Sequence, residues 1–406
     1  MPEAVIVAAA RTPIGRAFKG SLKELRPDDL AVTAVRAALD KVPALDPREI
    51  DDLMLGCGLP GGASGFNMGR VVAILLGYDH LPGTTITRYC SSSLQTTRMA
   101  LHAIRSGEGD VFISAGVESV SSFALGNSDS LPDTENPLFA DAKARTVARA
   151  EAGAPTWTDP RTEDNLPDVY IAMGQTAENL AQIKGITRRD QDEFGVRSQN
   201  LAEKAIADGF WQREITPVTL PDGTVVSTDD GPRPGVTLEG VEALKPVFRP
   251  DGTVTAGNCC PLNDGAAAVV VMSDTKAREL GITPLARIVA TGVTALSPEI
   301  MGLGPVEASR QALARAGMTI EDIDLVEINE AFAAQVIPSY RDLSIDIGKL
   351  NVNGGAIAVG HPFGMTGARI TSTLLNSLQF HDKTFGLETM CVGGGQGMAM
   401  IFERLS

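Results

Sequence analysis

The sequence predicts an α/β fold with a parallel-rich sheet covered by helices, and three observations carry that expectation. Apolar, strand-like runs alternate with helix-spaced segments at both ends of the chain. Between them, from about residue 121 to residue 261, the texture changes to scattered Pro, Asp and Gly around shorter helical pieces, which reads as an inserted, loop-rich subdomain over a ligand. The composition is that of a globular protein, 43% hydrophobic and 21% charged in 406 residues, and 42 glycines with 5% aromatics call for many tight turns. At roughly 100–200 residues per domain, two or three domains are expected.

Val5 to Ala10 is small and β-branched and is broken by Arg11, Thr12, Pro13 and Gly15, giving a strand and then a loop. Asp28 to Asp40 has helical apolar spacing behind an Asp able to cap it. DDLMLGCG, an Asn67–Leu76 helix, TTITRYC, a helix with Leu94, Leu101 and Ile104 inward, and the buried strand VFISAGVES continue the alternation. Asp190 to Ala207 is a helix of the inserted region. After Leu285 the sequence gives ARIVATGV as a strand, Pro305–Ala316 as a helix, DLVEINEAF, a Gly367–Leu378 helix, and closing strands at TMCVGGG and MAMIFERL. The outer sections read as related halves, with Cys90 and Cys391 at matching strand ends brought by a pseudo-twofold to one cleft.

A formal net charge of −15 sets the chain against nucleic acid, so an anionic ligand would need a local cluster of Arg or Lys. Five cysteines, none in metal-ligand spacing, argue against a disulfide framework and a zinc site. MPEAVIVAAARTPIG is too short for a membrane span and lacks a basic leader, so it reads as a first strand in a cytoplasmic protein, with no membrane insertion.

The chemistry-bearing residues stand at glycine- and serine-rich turns. Cys90 precedes SSS and a helix, where the helix end favours thiolate; its alternative reading is a buried small hydrophobe. His361 lies between glycines in GHPFG, as an acid–base group or a core histidine. Cys391 precedes Gly393, Gly394 and Gly395, whose N–H groups can approach a ligand, or it simply ends a strand. Asn329 and Glu330 interrupt an apolar run and otherwise read as a solvated helix start with Asn as the cap. Cys259 and Cys260, adjacent and so poorly placed for joint metal ligation, read as small packing residues, and Asp229–Asp230 and Glu321–Asp324 as solvated surface.

Cys90 in its strand–helix elbow, NEAFA at Asn329–Ala333, GHPFGMTGAR from Gly360 and CVGGGQGMA from Cys391 together resemble the thiolase family. VIVAAARTPIGR at the start, MGQTAEN at Met173–Asn179 and TAGN with LNDGAAA at Thr255–Ala268 extend the resemblance over the chain. It implies a duplicated five-layered αβαβα sandwich with an inserted loop domain. The halves would be residues 1–275, including a loop domain at about 121–261 covering coenzyme A, and residues 283–406.

By motif match, Cys90 accepts the acyl group, His361 withdraws its proton, and Cys391 moves the proton at the α-carbon of acetyl-CoA. Asn329, through a water, joins His361 at the enolate oxygen, and the N–H groups of Cys90 and Gly393 form an oxyanion hole. Full ionisation of a thiol with pKa about 8.5 gains at most about thirtyfold, whereas each oxyanion donor contributes ~2.7–4 kcal/mol. Arg233 would meet the nucleotide of coenzyme A, with Met173, Ala256, Cys260, Ala331 and Phe332 as further coenzyme A and substrate contacts.

No permanently bound cofactor and no metal is implied, with acyl-CoA as substrate. A homodimer or homotetramer is implied too, and association with other β-oxidation enzymes is compatible with it. Cys260 replaces the usual serine of GNAS, and Ser93 stands where CSSG has glycine. Ala172 replaces the His of short-chain enzymes before Met-Gly, which favours a 3-ketoacyl-CoA thiolase acting on chains longer than acetoacetyl. The alternative is a biosynthetic acetoacetyl-CoA thiolase; a ketoacyl-synthase-like enzyme or a non-catalytic lipid carrier fits less well.

Overall fold

The computed structural model describes residues 2–406. The first half is built from β1 (Ala4–Arg11), α1 (Pro27–Leu39), β2 (Asp52–Cys57), α2 (Met68–Leu75), β3 (Gly83–Ile86), α3 (Ser92–Ser106) and β4 (Val111–Ser119). After the inserted region, which contributes α4 (Met173–Lys184) and α5 (Arg188–Ala207), β5 (Asn263–Ser273) completes that half. The second half follows with β6 (Ala286–Ala295), α6 (Gly304–Ala316), β7 (Leu325–Ile328), α7 (Ala333–Asp342), α8 (Thr366–Phe380), β8 (Phe385–Val392) and β9 (Gln396–Arg404).

The strand order is β3-β2-β4-β5-β1 in the first half and β7-β8-β9-β6 in the second. Leu350 bridges Val326 in parallel on the outer side of β7, just as β3 flanks β2. Both halves therefore share one order, third–second–fourth–fifth–first in sequence. The halves touch edge to edge only where Val5 and Ile6 of β1 meet Arg287 and Ala286. The sheet is mixed rather than parallel-rich: β2 pairs in parallel with β3 and β4, and β7 with β8, but β5 and β9 return antiparallel to their neighbours. The sequence pattern hid this because a strand covered on both faces is apolar throughout whichever way it runs.

Side chains alternate between two environments along each strand. Val111, Ile113, Ala115 and Val117 of β4 pack outward with Leu30, Ala34 and Val35 of α1 and Val72 of α2. Ile6, Met54, Phe112, Val269 and Val271 face inward with Leu94 and Leu101 of α3, Ile370 and Leu374 of α8, and Met390 and Met400 of the second half. Val306 and Leu313 of α6 and Val336 of α7 cover the far side. The layers are thus helix, sheet, the α3–α8 pair, sheet and helix.

Several local expectations change. Asp28 sits inside the first turn of α1 behind Pro27, and the residue before the helix, Arg26, makes no side-chain cap. Asp229 and Asp230 are structural rather than solvated. Asp229, whose side chain is only 3% exposed, takes the buried Arg11 guanidinium at 2.7 and 2.9 Å and the Ile14 N–H, and Asp230 accepts from the N–H groups of Arg16 and Ser21. They pin the inserted region to the loop after β1. Asn329 and Glu330 do not open a solvated helix: both are buried, α7 begins at Ala333, and Glu330 accepts from Ser198, Asn351 and the Ile357 N–H.

Candidate active site

Cys90 lies in the turn between β3 and α3, one residue after Tyr89, whose φ of +43° is unusual for a side chain of that size. The turn presents the sulfur at the seam between the halves. Burial outweighs the helix end: it pushes the thiol up to about 12, while the Gly393 N–H facing the sulfur works the other way and Glu118 adds to the rise. At rest Cys90 is therefore a neutral thiol.

His361 stands in the second half where Cys90 stands in the first, between the third strand position and the central helix. This corrects the expected pairing of the two cysteines. Cys391 lies near the end of β8, the fourth strand, and its counterpart at the end of β4 is Glu118. Cys90 nevertheless lies near enough to Cys391 to raise its titration, and both act on that of Cys260.

The His361 ring is 1% exposed, and burial followed by the nearby Arg369 charge pulls it down to about 3, so the imidazole is neutral. Its Nδ1 lies 2.6 Å from Thr366 Oγ1, whose own hydroxyl donates to the Pro362 carbonyl at 2.7 Å. With that proton committed, Nδ1 carries the ring hydrogen and Nε2 keeps a free lone pair. The Asn329 amide nitrogen stands 3.4 and 3.3 Å from the two ring nitrogens, over the imidazole rather than in line with either. Arg369, which can only donate, faces Asn329 Oδ1 at 3.5 Å and so turns the amide N–H side toward His361.

Cys391 is fully buried, and desolvation followed by the Cys90 sulfur holds its thiol well above the ordinary range. Gly394 and Gly395 turn the chain with φ of +76° and +81°. A Cβ at Gly395 would stand 2.3 Å from the Leu296 carbonyl oxygen, so only glycine fits that turn.

Two surfaces converge on these groups. Ala331, Phe332, Met301 and Val254 form an apolar cluster with Cys391, and Met173, Phe248 and Cys259 pack against it. A cavity of about 400 Å³ is lined by Arg16, Phe18, Lys19, Arg233, Ala256, Cys259, Cys260 and Leu262. Three cations in a chain of net charge −15 make this the local basic cluster that an anionic ligand requires. Cys259 belongs to both surfaces, and Cys260 lines the cavity. Ala172 is exposed at the start of α4, outside the apolar wall, while its neighbour Met173 forms part of it. Ser93 spends its hydroxyl on the Ala368 N–H and so joins the two central helices.

Sequence reasoning passed over Glu118, Thr366, Arg369, Arg16 and Lys19. Glu118 left a signal, a lone carboxylate closing the apolar strand VFISAGVES; Thr366 and Arg369 stood inside a motif already singled out for His361. All five cysteines are free thiols, and no cluster of three or more His, Cys, Asp or Glu fit to hold a metal occurs among the described residues. No helix among them is long and apolar enough to cross a membrane.

Comparison with known proteins identifies the family. Residues 4–275 match the family model for the thiolase N-terminal domain and residues 282–404 that for the thiolase C-terminal domain. The chain is 42% identical to the 3-ketoacyl-CoA thiolase of Bacillus subtilis, over 99% of this chain and all of that protein. It is also 42% identical to the acetyl-CoA acetyltransferase of Cupriavidus necator over the full length of both. The crystal structure of the Bacillus anthracis acetyl-CoA acetyltransferase superposes with a TM-score of 0.86 at 39% identity, covering 100% of this chain and 99% of that one. With two family models spanning it and full-length relatives at this identity, the chain belongs to the thiolase family.

Proposed function

We propose that this thiolase cleaves 3-ketoacyl-CoA with coenzyme A through an acyl-enzyme on Cys90, giving acetyl-CoA and an acyl-CoA shortened by two carbons. The observation that carries the reading is a pair of buried thiols, Cys90 raising the titration of Cys391 and both acting on Cys260 of the cation-lined cavity, with a neutral, Thr366-oriented imidazole at the matching turn of the other half.

His361 Nε2 takes the Cys90 proton as sulfur bonds to the 3-keto carbon, and the N–H groups of Cys90 and Gly393 hold the oxyanion. The C2–C3 bond then breaks and its electron pair becomes the enolate of acetyl-CoA. The enolate oxygen accepts from the imidazolium and from a water held by Asn329. Cys391 gives its proton to C2 and later takes the proton of incoming coenzyme A, whose sulfur displaces the acyl group from Cys90. The imidazolium returns its proton to the departing Cys90 sulfur. A thiol held near 12 and an imidazole held near 3 do not exchange a proton at rest, so the transfer accompanies attack.

Arg233, Arg16 and Lys19 serve the nucleotide and phosphate end of coenzyme A, and Ala256 and Cys260 the pantetheine. Met173, Ala331 and Phe332 line the acyl side. Coenzyme A enters as a substrate, with no permanently bound cofactor. The division into residues 1–275 and 283–406, with 121–261 over the coenzyme, belongs to the same reading, as do a homo-oligomer and a cytoplasmic setting.

The same groups run in reverse to condense two acetyl-CoA molecules, and the wall around Cys391 favours neither direction. Coenzyme A-dependent loss of 3-ketoacyl-CoA absorbance from acetoacetyl to long chains separates the readings. Rising activity beyond four carbons establishes the degradative enzyme, and activity on acetoacetyl-CoA alone the acetyltransferase. Cys90→Ser is expected to form no acyl-enzyme by intact mass, and Cys391→Ser to acylate without turning over.

A further inference from the structure

Glu118 is a fully buried carboxylate at the end of β4 that the reaction as written does not use. Its surroundings are specific. Oε2 accepts the N–H of Gly58 at 2.7 Å and the N–H of Gly364 at 2.8 Å; Oε1 accepts the N–H of Leu59 at 3.2 Å and faces the Cys57 thiol at 3.7 Å. These donors belong to two loops from opposite halves of the chain.

Each loop leads to one reacting group. Gly58 receives the Thr87 hydroxyl on its carbonyl at 2.8 Å, and a Cβ at Gly58 would stand 3.4 Å from the Tyr89 carbonyl oxygen, so the 58–59 turn lies against the turn that presents Cys90. A Cβ there would also stand 2.9 Å from Phe363 Cβ. Gly364 follows His361 by three residues in GHPFG, and its own Cβ would stand 2.3 Å from the Val117 carbonyl oxygen, so that loop is pressed against the strand that bears Glu118. Cys57 and Cys90 are the titratable groups facing the carboxylate.

Burial makes this an expensive place for a carboxylate: it pushes Glu118 up to about 7 against the pull of the Gly364, Gly58 and Leu59 N–H groups. An apolar side chain in its place would leave three backbone donors unpaired, so what the carboxylate secures is the contact between the two loops.

We propose that Glu118 is a positioning residue for the reaction: by accepting Gly58 N–H and Gly364 N–H on one oxygen it fixes the Cys90 turn against the His361 turn and thereby sets the spacing of nucleophile and base. The inference rests on the Cys90 acyl-enzyme reading. Glu118 touches no reacting atom, and it occupies in the first half the strand end that Cys391 occupies in the second.

The shape of the amide decides the test. Glu118→Gln keeps one oxygen for Gly58 and Gly364 and turns an NH2 toward Leu59 and Cys57, losing only the two longer contacts. Glu118→Ala loses all of them. Misplacement by about 1 Å costs on the order of 10²-fold in rate. Glu118→Ala is therefore expected to lower kcat about 10²-fold and the rate of Cys90 acylation in parallel, with KM for the acyl-CoA within about threefold, and Glu118→Gln to recover to within about tenfold of the parent.

Acylation is read by intact mass after rapid mixing with a 3-ketoacyl-CoA, and thermal midpoints are recorded beside it. Equal acylation in the parent and Glu118→Ala overturns the proposal, as does an equal loss in both variants, which would assign the effect to charge. Should Glu118→Ala not fold, Glu118→Gln and Glu118→Asp carry the comparison: the shorter Asp, unable to span both loops, is expected to be the slower of the two, and the reverse order overturns the proposal. Failure of the parent itself to form a Cys90 adduct would instead remove the acyl-enzyme reading.

Discussion

His361 Nδ1 and Thr366 Oγ1 are 2.6 Å apart, and because the Thr366 hydroxyl already donates to the Pro362 carbonyl, Thr366 decides which imidazole nitrogen keeps a free lone pair. The threonine also opens the central helix α8, so the proton position on His361 is tied to the core of the protein.

Thr366→Val removes the acceptor for Nδ1–H and frees the ring to take the other tautomer. The expected result is a fall in kcat of about 10²-fold, the lower end of what general acid–base catalysis contributes, with Thr366→Ser close to the parent. Steady-state thiolysis of the two variants checks it, and equal rates for Val and Ser would remove the role.

Arg233 is exposed on the rim of the cation-lined cavity, and its backbone N–H is held by Gln199. Arg233→Ala is expected to raise KM for acyl-CoA by about fivefold or less, since an exposed charge contact contributes at most ~1 kcal/mol. kcat should hold. An acyl thioester lacking the nucleotide should show no change, and a loss there too would place Arg233 elsewhere than at the phosphates.

Asp229→Ala leaves the buried Arg11 guanidinium with Glu214 alone and releases the loop carrying Ile14. Breaking a buried pair from one side costs about 3–5 kcal/mol. A lowered midpoint in urea with an unchanged slope is the expected signature.

The buried carboxylates make stability fall as the solution becomes more alkaline. Burial pushes Glu118 up to about 7 and Glu327 up to about 8, from ordinary values of 4.5. Between those limits the folded chain binds more protons than the unfolded one, so the contribution is whole below about 4.5 and is lost as pH rises through 7 to 8. His361 acts at the other end: held neutral down to about 3, it costs stability as pH falls below 6.5. The thermal midpoint should drop from about pH 5.5 to pH 8, and Glu327→Gln should flatten that fall. A midpoint that rises over this window would contradict the assignment.

Legibility in the sequence followed the range of the interaction. The strand and helix segments, the glycine turn after Cys391 and the thiol–imidazole set could be read because each is local or carried by a compact motif. Strand direction could not, since Val111–Ser119 and Asn263–Ser273 are equally apolar although one runs against the other. The Asp229–Arg11 pair joins residues far apart in the chain, so the aspartates looked solvated. Thr366 and Glu118 act through contacts that only assembly of the two halves creates, and the same assembly set Cys90 opposite His361 rather than opposite Cys391.

The shared strand order leaves Cys90 in one half and His361, Asn329 and Cys391 in the other, so neither half holds both the proposed nucleophile and its proposed base. Turnover is for that reason a gauge of how well the halves are docked, and it should fade on heating or in urea before spectroscopic signals of the sheets do. A chain severed in the connection near Gly281 and supplied as two pieces could regain activity only by reassembly, which makes the enzyme its own complementation assay.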